Sequence, residues 1–313
     1  VTKIATRDAY GDALVALGKK RDDVVVLDAD LSGSTKTSKF AKVFPDRFFN
    51  IGIAEQDMMG TAAGLAIAGK LPFASTFAVF ATGRAWEQVR QSICYPNMNV
   101  KIVASHAGIT VGEDGGSHQS VEDIAVMRVL PHMTVIVPAD GPETLQAIAA
   151  VAEHKGPCYV RVGRNKVPTL FGEEYTFKIG KAHVFNEGKD ATIIATGIMV
   201  AEAIRARDLL KAEGIDAGVI NMSTIKPIDA GAVVAAAKNS GAIVTAEEHS
   251  IIGGLGGAVA EVLCESAPVP MVRIGVKDAF GTSGDQEGLL KHYGLSAGDI
   301  VTAVKEVMAK KKR

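Results

Sequence analysis

Short runs of consecutive apolar residues alternate along the chain with longer stretches whose apolar positions recur every three or four residues. Such alternation of doubly buried runs with amphipathic helices predicts a parallel α/β sheet. The spacing predicts strands over 24–27, 73–76, 100–104, 134–137 and 158–162, and helices over 58–68, 84–94, 121–130 and 143–153. The 58–68 helix is rich in small residues (Gly60, Ala62, Ala63, Gly64, Ala66) and is suited to close packing. Residues 165–188 break the rhythm with Pro168, Gly172, Gly180, Gly188 and several charges, which predicts a linker. Alternation then resumes, with strands over 191–196, 217–222, 243–246 and 271–274 and helices over 200–212, 230–237, 257–265 and 297–308. The expected organisation is two α/β domains, each a mostly parallel sheet flanked by helices: 1–165, a linker at 166–188, and 189–313.

Composition adds exclusions. A length of 313 residues suits two domains, and 47% apolar with 22% charged residues is an ordinary globular balance. A net charge of −1 gives no electrostatic case for nucleic acid, and the basic run Lys310 to Arg313 reads as a solvated end. The chain has no apolar run long enough for a membrane span and no signal-peptide profile, so the cytoplasm is the expected location. Cys94, Cys158 and Cys264 are too few and too widely spaced for a disulfide framework or a metal site; their apolar neighbours predict buried free thiols.

Candidate chemistry gathers where strands end, because open parallel sheets bind ligands beyond their carboxyl edges. Asp30, Phe77, His106, Asp114 and Arg164 all follow predicted strands and are expected to face one crevice. Glu55 lies between the apolar stretch Ile51–Ile53 and the small-residue helix. It reads either as a partly desolvated carboxyl able to share a proton or as a helix N-terminal cap. The segment from His106 to His118 sets two histidines and two carboxylates among four glycines, at no recognised zinc spacing. It is a ligand loop or a structural one. Arg7, Ser34 and Arg164 are candidate anion ligands, although a single arginine is more often a surface ion pair. Phe77 and Phe80, three apart, suit a core pair or a stacking platform. No phosphate loop or dinucleotide fingerprint is present; Gly253-Gly-Leu-Gly-Gly257 has the wrong spacing and predicts a tight loop opening a helix.

Together these segments resemble a known family. Phe48-Phe-Asn-Ile-Gly-Ile-Ala-Glu55-Gln resembles the transketolase segment that carries the cofactor-activating glutamate, and Thr76-Phe-Ala-Val-Phe80 the pyrimidine-stacking segment. Gly112-Glu-Asp-Gly-Gly-Ser-His118-Gln resembles the highly specific Gly-Glu-Asp-Gly-Pro-Thr-His-Gln motif. Val137-Pro-Ala-Asp-Gly141 and Asp278-Ala-Phe-Gly-Thr-Ser-Gly284 extend the similarity over nearly the whole chain. The Gly-Asp-Gly…Asn motif, by which the family's preceding domain binds diphosphate through magnesium, has no match here. The family includes two-gene versions, and the chain resembles the second subunit, carrying the pyrimidine-binding and C-terminal domains.

The resemblance implies transfer of a two-carbon ketol unit from a ketose phosphate to an aldose phosphate through a thiamine-diphosphate carbanion. It implies that Glu55 activates the aminopyrimidine, that Phe80 stacks on it, that Ile53 and Phe77 line its pocket, and that Asp30 lies near the thiazolium. His106 and His118 match the substrate-channel histidines, which makes them catalytic candidates beside Glu55. Asp114 matches a residue reading a donor hydroxyl, and Arg7, Ser34 and Arg164 match sugar-phosphate ligands. Thiamine diphosphate would be shared with an N-terminal, diphosphate-binding partner subunit that holds Mg2+ or Ca2+, in an α2β2 complex, with no metal on this chain. Three departures stand out. Gly116-Ser117 replaces Pro-Thr, Gly83 stands where several transketolases place a tyrosine, and Ala54 stands where an arginine often precedes the glutamate. Half of a deoxyxylulose-phosphate synthase and a 2-oxoacid dehydrogenase beta subunit share the glutamate and both domains. The former usually has arginine at the position of Phe80, and the latter lacks the Gly-Glu-Asp-Gly loop. A non-catalytic regulatory homologue is a further reading, opposed by the intact Glu55 and anion ligands.

Overall fold

A run such as Val24-Val-Val-Leu27 has no polar face to offer solvent and is stable as a strand only when covered on both sides. The computed structural model describes residues 2–311. In chain order the strands are β1 (Lys3–Ala5), β2 (Val24–Asp28), β3 (Phe48–Asn50), β4 (Leu71–Ser75), β5 (Lys101–Ala104), β6 (Thr134–Ile136) and β7 (Cys158–Arg161). They continue with β8 (Lys166–Pro168), β9 (His183–Asn186), β10 (Ala191–Ala195), β11 (Ala217–Asn221), β12 (Thr224–Lys226), β13 (Ile243–Ser250) and β14 (Met271–Val276). One sheet has the order β12-β6-β7-β5-β4-β2-β3, the other β14-β13-β10-β11-β9, and β1 pairs with β8. Neighbours are parallel except β12 with β6, β9 with β11, and β1 with β8. The chain is thus α/β, with two mostly parallel sheets flanked by helices, as the pattern predicts. Among the described residues no helix is long and apolar enough to cross a membrane.

Several elements depart from the pattern. The helix Thr6–Lys20 was not signalled, because its buried face uses Thr6, Ala9, Gly11, Ala13 and Gly18 around only two large residues, Tyr10 and Leu14. The stretch 84–94, expected as one regular helix, is a turn of α-helix at Trp86–Gln88 between wider π turns at Phe80–Arg84 and Val89–Cys94. The segment 166–188, expected as a linker, carries β8 and β9 and is fastened along its length. Asp140 accepts the N–H groups of Leu170 and Phe171 at 2.7 and 3.0 Å. Buried Glu143 accepts the Tyr175 hydroxyl at 2.5 Å and the Asn221 amide at 2.8 Å. Strand β12, from the second half of the sequence, completes the edge of the first sheet.

Cys94 and Cys158 are buried thiols, but Cys264 is exposed. Its apolar neighbours in sequence point to other faces of the helix Leu255–Ser266, so flanking residues are no guide to burial there. In the basic tail Lys310 pairs with Glu306 at 2.7 Å and the Lys311 ammonium donates to the Ser240 carbonyl at 2.6 Å. Lys312 and Arg313 lie outside the described residues, as does Val1.

A buried ionic junction joins the two sheets. Arg161, at the end of β7, donates through Nε to Asp123 at 2.8 Å and through its terminal nitrogen to the Glu248 carbonyl at 2.9 Å. Tyr159 donates its hydroxyl to the same Asp123 oxygen at 2.7 Å. The Glu248 carboxylate accepts the Thr110 N–H at 2.6 Å, within the short helical segment Ile109–Asp114. Arg161→Ala leaves Asp123 and Glu248 buried without their cation, and is expected to cost about 3–5 kcal/mol. Breaking the exposed pair Lys305–Glu213 is expected to cost at most about 1 kcal/mol. Urea denaturation midpoints of the two variants test the contrast; equal shifts would remove the junction from the stability argument.

Candidate active site

Strands β7, β5, β4 and β2 lie side by side, and the chain after β2 departs towards β3 while that after β4 departs the other way, to β5. Loops parting at adjacent strand ends open a crevice. Asp28, buried at the end of β2, shapes the first loop by accepting the Leu31 N–H at 2.6 Å and the Thr35 and Thr37 hydroxyls at 2.7 and 2.8 Å. Burial raises the pKa of this carboxyl. That loop carries Asp30, which is exposed, has a left-handed backbone (φ 62°) and accepts the Asn50 amide at 3.0 Å.

The neighbouring strand ends bring an aromatic and imidazole cluster together. The Phe77 ring stacks on His106 with centroids 3.8 Å apart and runs nearly parallel to Phe80 at 5.9 Å. His118 meets both phenyl rings edge-on, at 6.2 and 5.7 Å. One terminal nitrogen of Arg7 donates to the Ser34 carbonyl at 3.0 Å and to Nε2 of His106 at 3.2 Å. Because a guanidinium only donates, Nε2 must hold a lone pair. The imidazole proton therefore sits on Nδ1, 2.8 Å from the Ser105 hydroxyl oxygen that accepts it. Burial, then the charges of Arg7 and Arg164, push the His106 pKa down to about 3. Arg7 keeps a buried Nε with no partner among the described residues, a donor left over for an acceptor.

Glu55 opens the helix Glu55–Ile67, and its carboxyl is only 1% exposed. It does not cap the helix with its side chain. Instead one terminal nitrogen of Arg84 donates to both of its oxygens, at 2.9 and 3.0 Å. The Arg84 guanidinium also lies over the Phe80 ring, 4.5 Å from its centroid. Sequence reasoning missed Arg84; the one available signal was its position four residues after Phe80, near enough in a helical turn to share its surface. Ile53, by contrast, is 76% exposed and joins no cluster among the described residues.

The glycine-rich segment folds over the strand ends. Asp114 accepts from Arg164 at 3.1 Å, and the same guanidinium nitrogen donates to the Val111 carbonyl at 2.7 Å. Beneath, Gln119 donates to the Thr282 carbonyl at 2.9 Å, so that the second sheet's 278–284 segment supports the segment from the C-terminal side. The crevice therefore collects Arg7, Phe77, Phe80, His106 and His118 in direct contact, with Glu55 joined through Arg84 and Ser34 through its carbonyl. Asp114 and Arg164 form an adjoining pair; Asp30 and Ile53 lie apart.

Profiles of known families match most of the chain, the transketolase pyrimidine binding domain over residues 2–169 and the transketolase C-terminal domain over residues 180–300. The chain belongs to the transketolase family. Among solved structures this transketolase chain is similar to a split-gene transketolase in an inactive beta4 tetramer, with 55% identity and a TM-score of 0.91 over 99% of this chain and 100% of that one. It is 45% identical to the 6-deoxy-6-sulfo-D-fructose transketolase subunit of a Clostridium species over 305 residues, 97% of this chain and 95% of that subunit. It is 37% identical to transketolase of Homo sapiens over 312 residues, 98% of this chain but 50% of the human enzyme.

Long-range 1H–15N NMR should find His106 neutral and protonated at Nδ1 throughout pH 5–8, about the range in which an ordinary histidine titrates. Arg7→Met should move its titration upward while burial still holds it below the ordinary value. A wild-type His106 titrating near pH 6.5 would contradict the assignment.

Proposed function

We propose that the chain is the pyrimidine-binding and C-terminal subunit of a two-subunit transketolase, moving a two-carbon ketol unit from a ketose phosphate to an aldose phosphate. The observation that carries this reading is Glu55, a buried acid whose side-chain partner among the described residues is a half-exposed flat cation lying on Phe80. A buried carboxylate beside an aromatic face, held by a group that is itself at the surface, fits the aminopyrimidine half of thiamine diphosphate. Phe80 would carry that ring, Phe77 and Ile53 would flank it, and Asp30 would lie towards the thiazolium. The 76% exposure of Ile53 suits a residue covered by a partner subunit. The diphosphate and its Mg2+ or Ca2+ would be held by that partner, in a cytoplasmic α2β2 complex. Residues 1–165 and 189–313 would be its two domains on this chain.

When bound, thiamine diphosphate supplies the electron sink for breaking and making the carbon–carbon bond. Glu55 shares a proton with a ring nitrogen, and its burial keeps water from levelling that exchange. His106 is fixed in one neutral tautomer, its Nε2 accepting from Arg7 and its Nδ1–H donating to Ser105, so it would hold Arg7 in place at the crevice without adding charge. His118, set edge-on against the phenyl pair, faces the same crevice as the second imidazole. Arg7, with its spare buried Nε, and Arg164, with Ser34 between strand ends, offer donors to the far phosphate. Asp114 offers an acceptor to a donor hydroxyl. The sulfonated sugar in the name of the Clostridium relative is also an anion, and the same arginines would suit it.

Two measurements test the reading. The pure chain should show no ketol transfer between xylulose and ribose phosphates, and mixing with the diphosphate-binding partner, thiamine diphosphate and Mg2+ should restore it. Turnover by the chain alone would overturn the two-subunit assignment. In the mixed complex Glu55→Gln keeps shape but removes the acid–base couple. Deuterium exchange at the cofactor's thiazolium carbon, followed by rapid quench and NMR, should slow by about 10²-fold or more. Exchange at the wild-type rate would transfer that role to another group.

A further inference from the structure

We propose that Arg84 is a stand-in for the aminopyrimidine: its guanidinium lies in the seat between Glu55 and Phe80 and must swing out for the ring to enter. This inference rests on the function proposed above.

Three observations carry it. Arg84 engages the same two groups that the ring would need, the Glu55 carboxylate at 2.9 and 3.0 Å and the Phe80 face at 4.5 Å. Its chemistry matches, because a guanidinium and an aminopyrimidine are both flat, delocalised nitrogen donors that stack on arenes. Its exposure also matches: Arg84 is 49% exposed against 1% for its partner, so the arginine can leave towards solvent while the acid cannot.

The logic is electrostatic. A carboxylate as buried as Glu55 is costly without a counter-charge. Before the cofactor arrives Arg84 supplies that charge and keeps the acid and the phenyl ring in register. On entry of the ring, Glu55 would exchange the ion pair for one proton, taken up from solvent and shared with a ring nitrogen, and Arg84 would return to water with its charge hydrated. A binding-competent seat is then only the Arg84-out fraction, which weakens the observed affinity by that fraction.

The test uses the reconstituted two-subunit complex with Mg2+, titrated with thiamine diphosphate by isothermal calorimetry, so that affinity is read without turnover. Arg84→Gln keeps a polar side chain but removes the cation, and should bind about five-fold tighter than wild type, the scale of one partly exposed ion pair. Arg84→Lys keeps the charge on Glu55 without the flat stack, and should fall between the two. Equal or weaker binding by Arg84→Gln, with its circular dichroism matching wild type, would overturn the proposal, because Arg84 would then be inert or a retained ligand. If Arg84→Gln misfolds, Arg84→Lys decides the matter, and binding no tighter than wild type has the same consequence. A wild-type complex that binds no thiamine diphosphate would instead sink the underlying function, and this inference with it.

Discussion

The buried cation Arg161 is the constraint on which the rest of the site depends. Taking a guanidinium and two carboxylates out of water costs several kcal/mol per ion, and only close geometry offsets it. Asp123 at 2.8 Å, the Glu248 carbonyl at 2.9 Å and the Tyr159 hydroxyl on Asp123 provide that geometry. Any sliding of one sheet against the other would separate these groups and leave charge stranded. The two halves of the chain are therefore locked in one register, and β12 crossing into the first sheet reinforces it.

That register sets the height of the glycine-rich segment. Glu248 holds it from below through the Thr110 N–H. The 278–284 segment of the second half approaches it at backbone distance: a Cβ on Gly116 would sit 2.6 Å from the Gly281 carbonyl, and one on Gly281 would run into the Gln119 side chain. The departure from Pro-Thr to Gly-Ser at 116–117 thus has a local cause, since the proline ring would need this neighbour to shift. The candidate residues named from the sequence all lie between Arg7 and Arg164, yet the backbone of the 278–284 segment and the buried Glu248 carboxylate help determine where Asp114 and His118 stand.

Legibility followed the same division. A run such as Val24–Leu27 could be read because burial on both faces admits only apolar residues there. The helix Thr6–Lys20 and the short strands β1, β3, β8 and β12 could not, because small, polar or exposed positions leave no apolar run or period there. Phe77, His106 and His118 were legible from position and motif, and the structure sets them in contact. Arg84, Ser105 and Glu248 were not. A single arginine, serine or glutamate has an ordinary surface meaning in a sequence, and only folding brings Arg84 to Glu55 or Glu248 to Thr110. Residues 166–188 lack a period because their order comes from Asp140 and Glu143 on a neighbouring helix.

The charge pattern of the crevice closes the physical argument. The chain as a whole carries −1, yet Arg7, Arg164 and Lys36 all lie near enough to His106 to disfavour its protonation. Concentrating cations where the total is balanced makes a local positive field without making the surface generally anion-binding. Each cation is also restrained: Arg164 by Asp114 at 3.1 Å, Lys36 by Asp8 at 3.7 Å, Arg7 by the Ser34 carbonyl and the His106 ring. Restraint matters because an anion that meets fixed donors need not order them on arrival. The imidazole at the centre stays neutral because it is buried and, secondarily, because of those same cations. A charged imidazole there would have competed with the arginines for the anion, whereas the neutral ring only holds Arg7 in place.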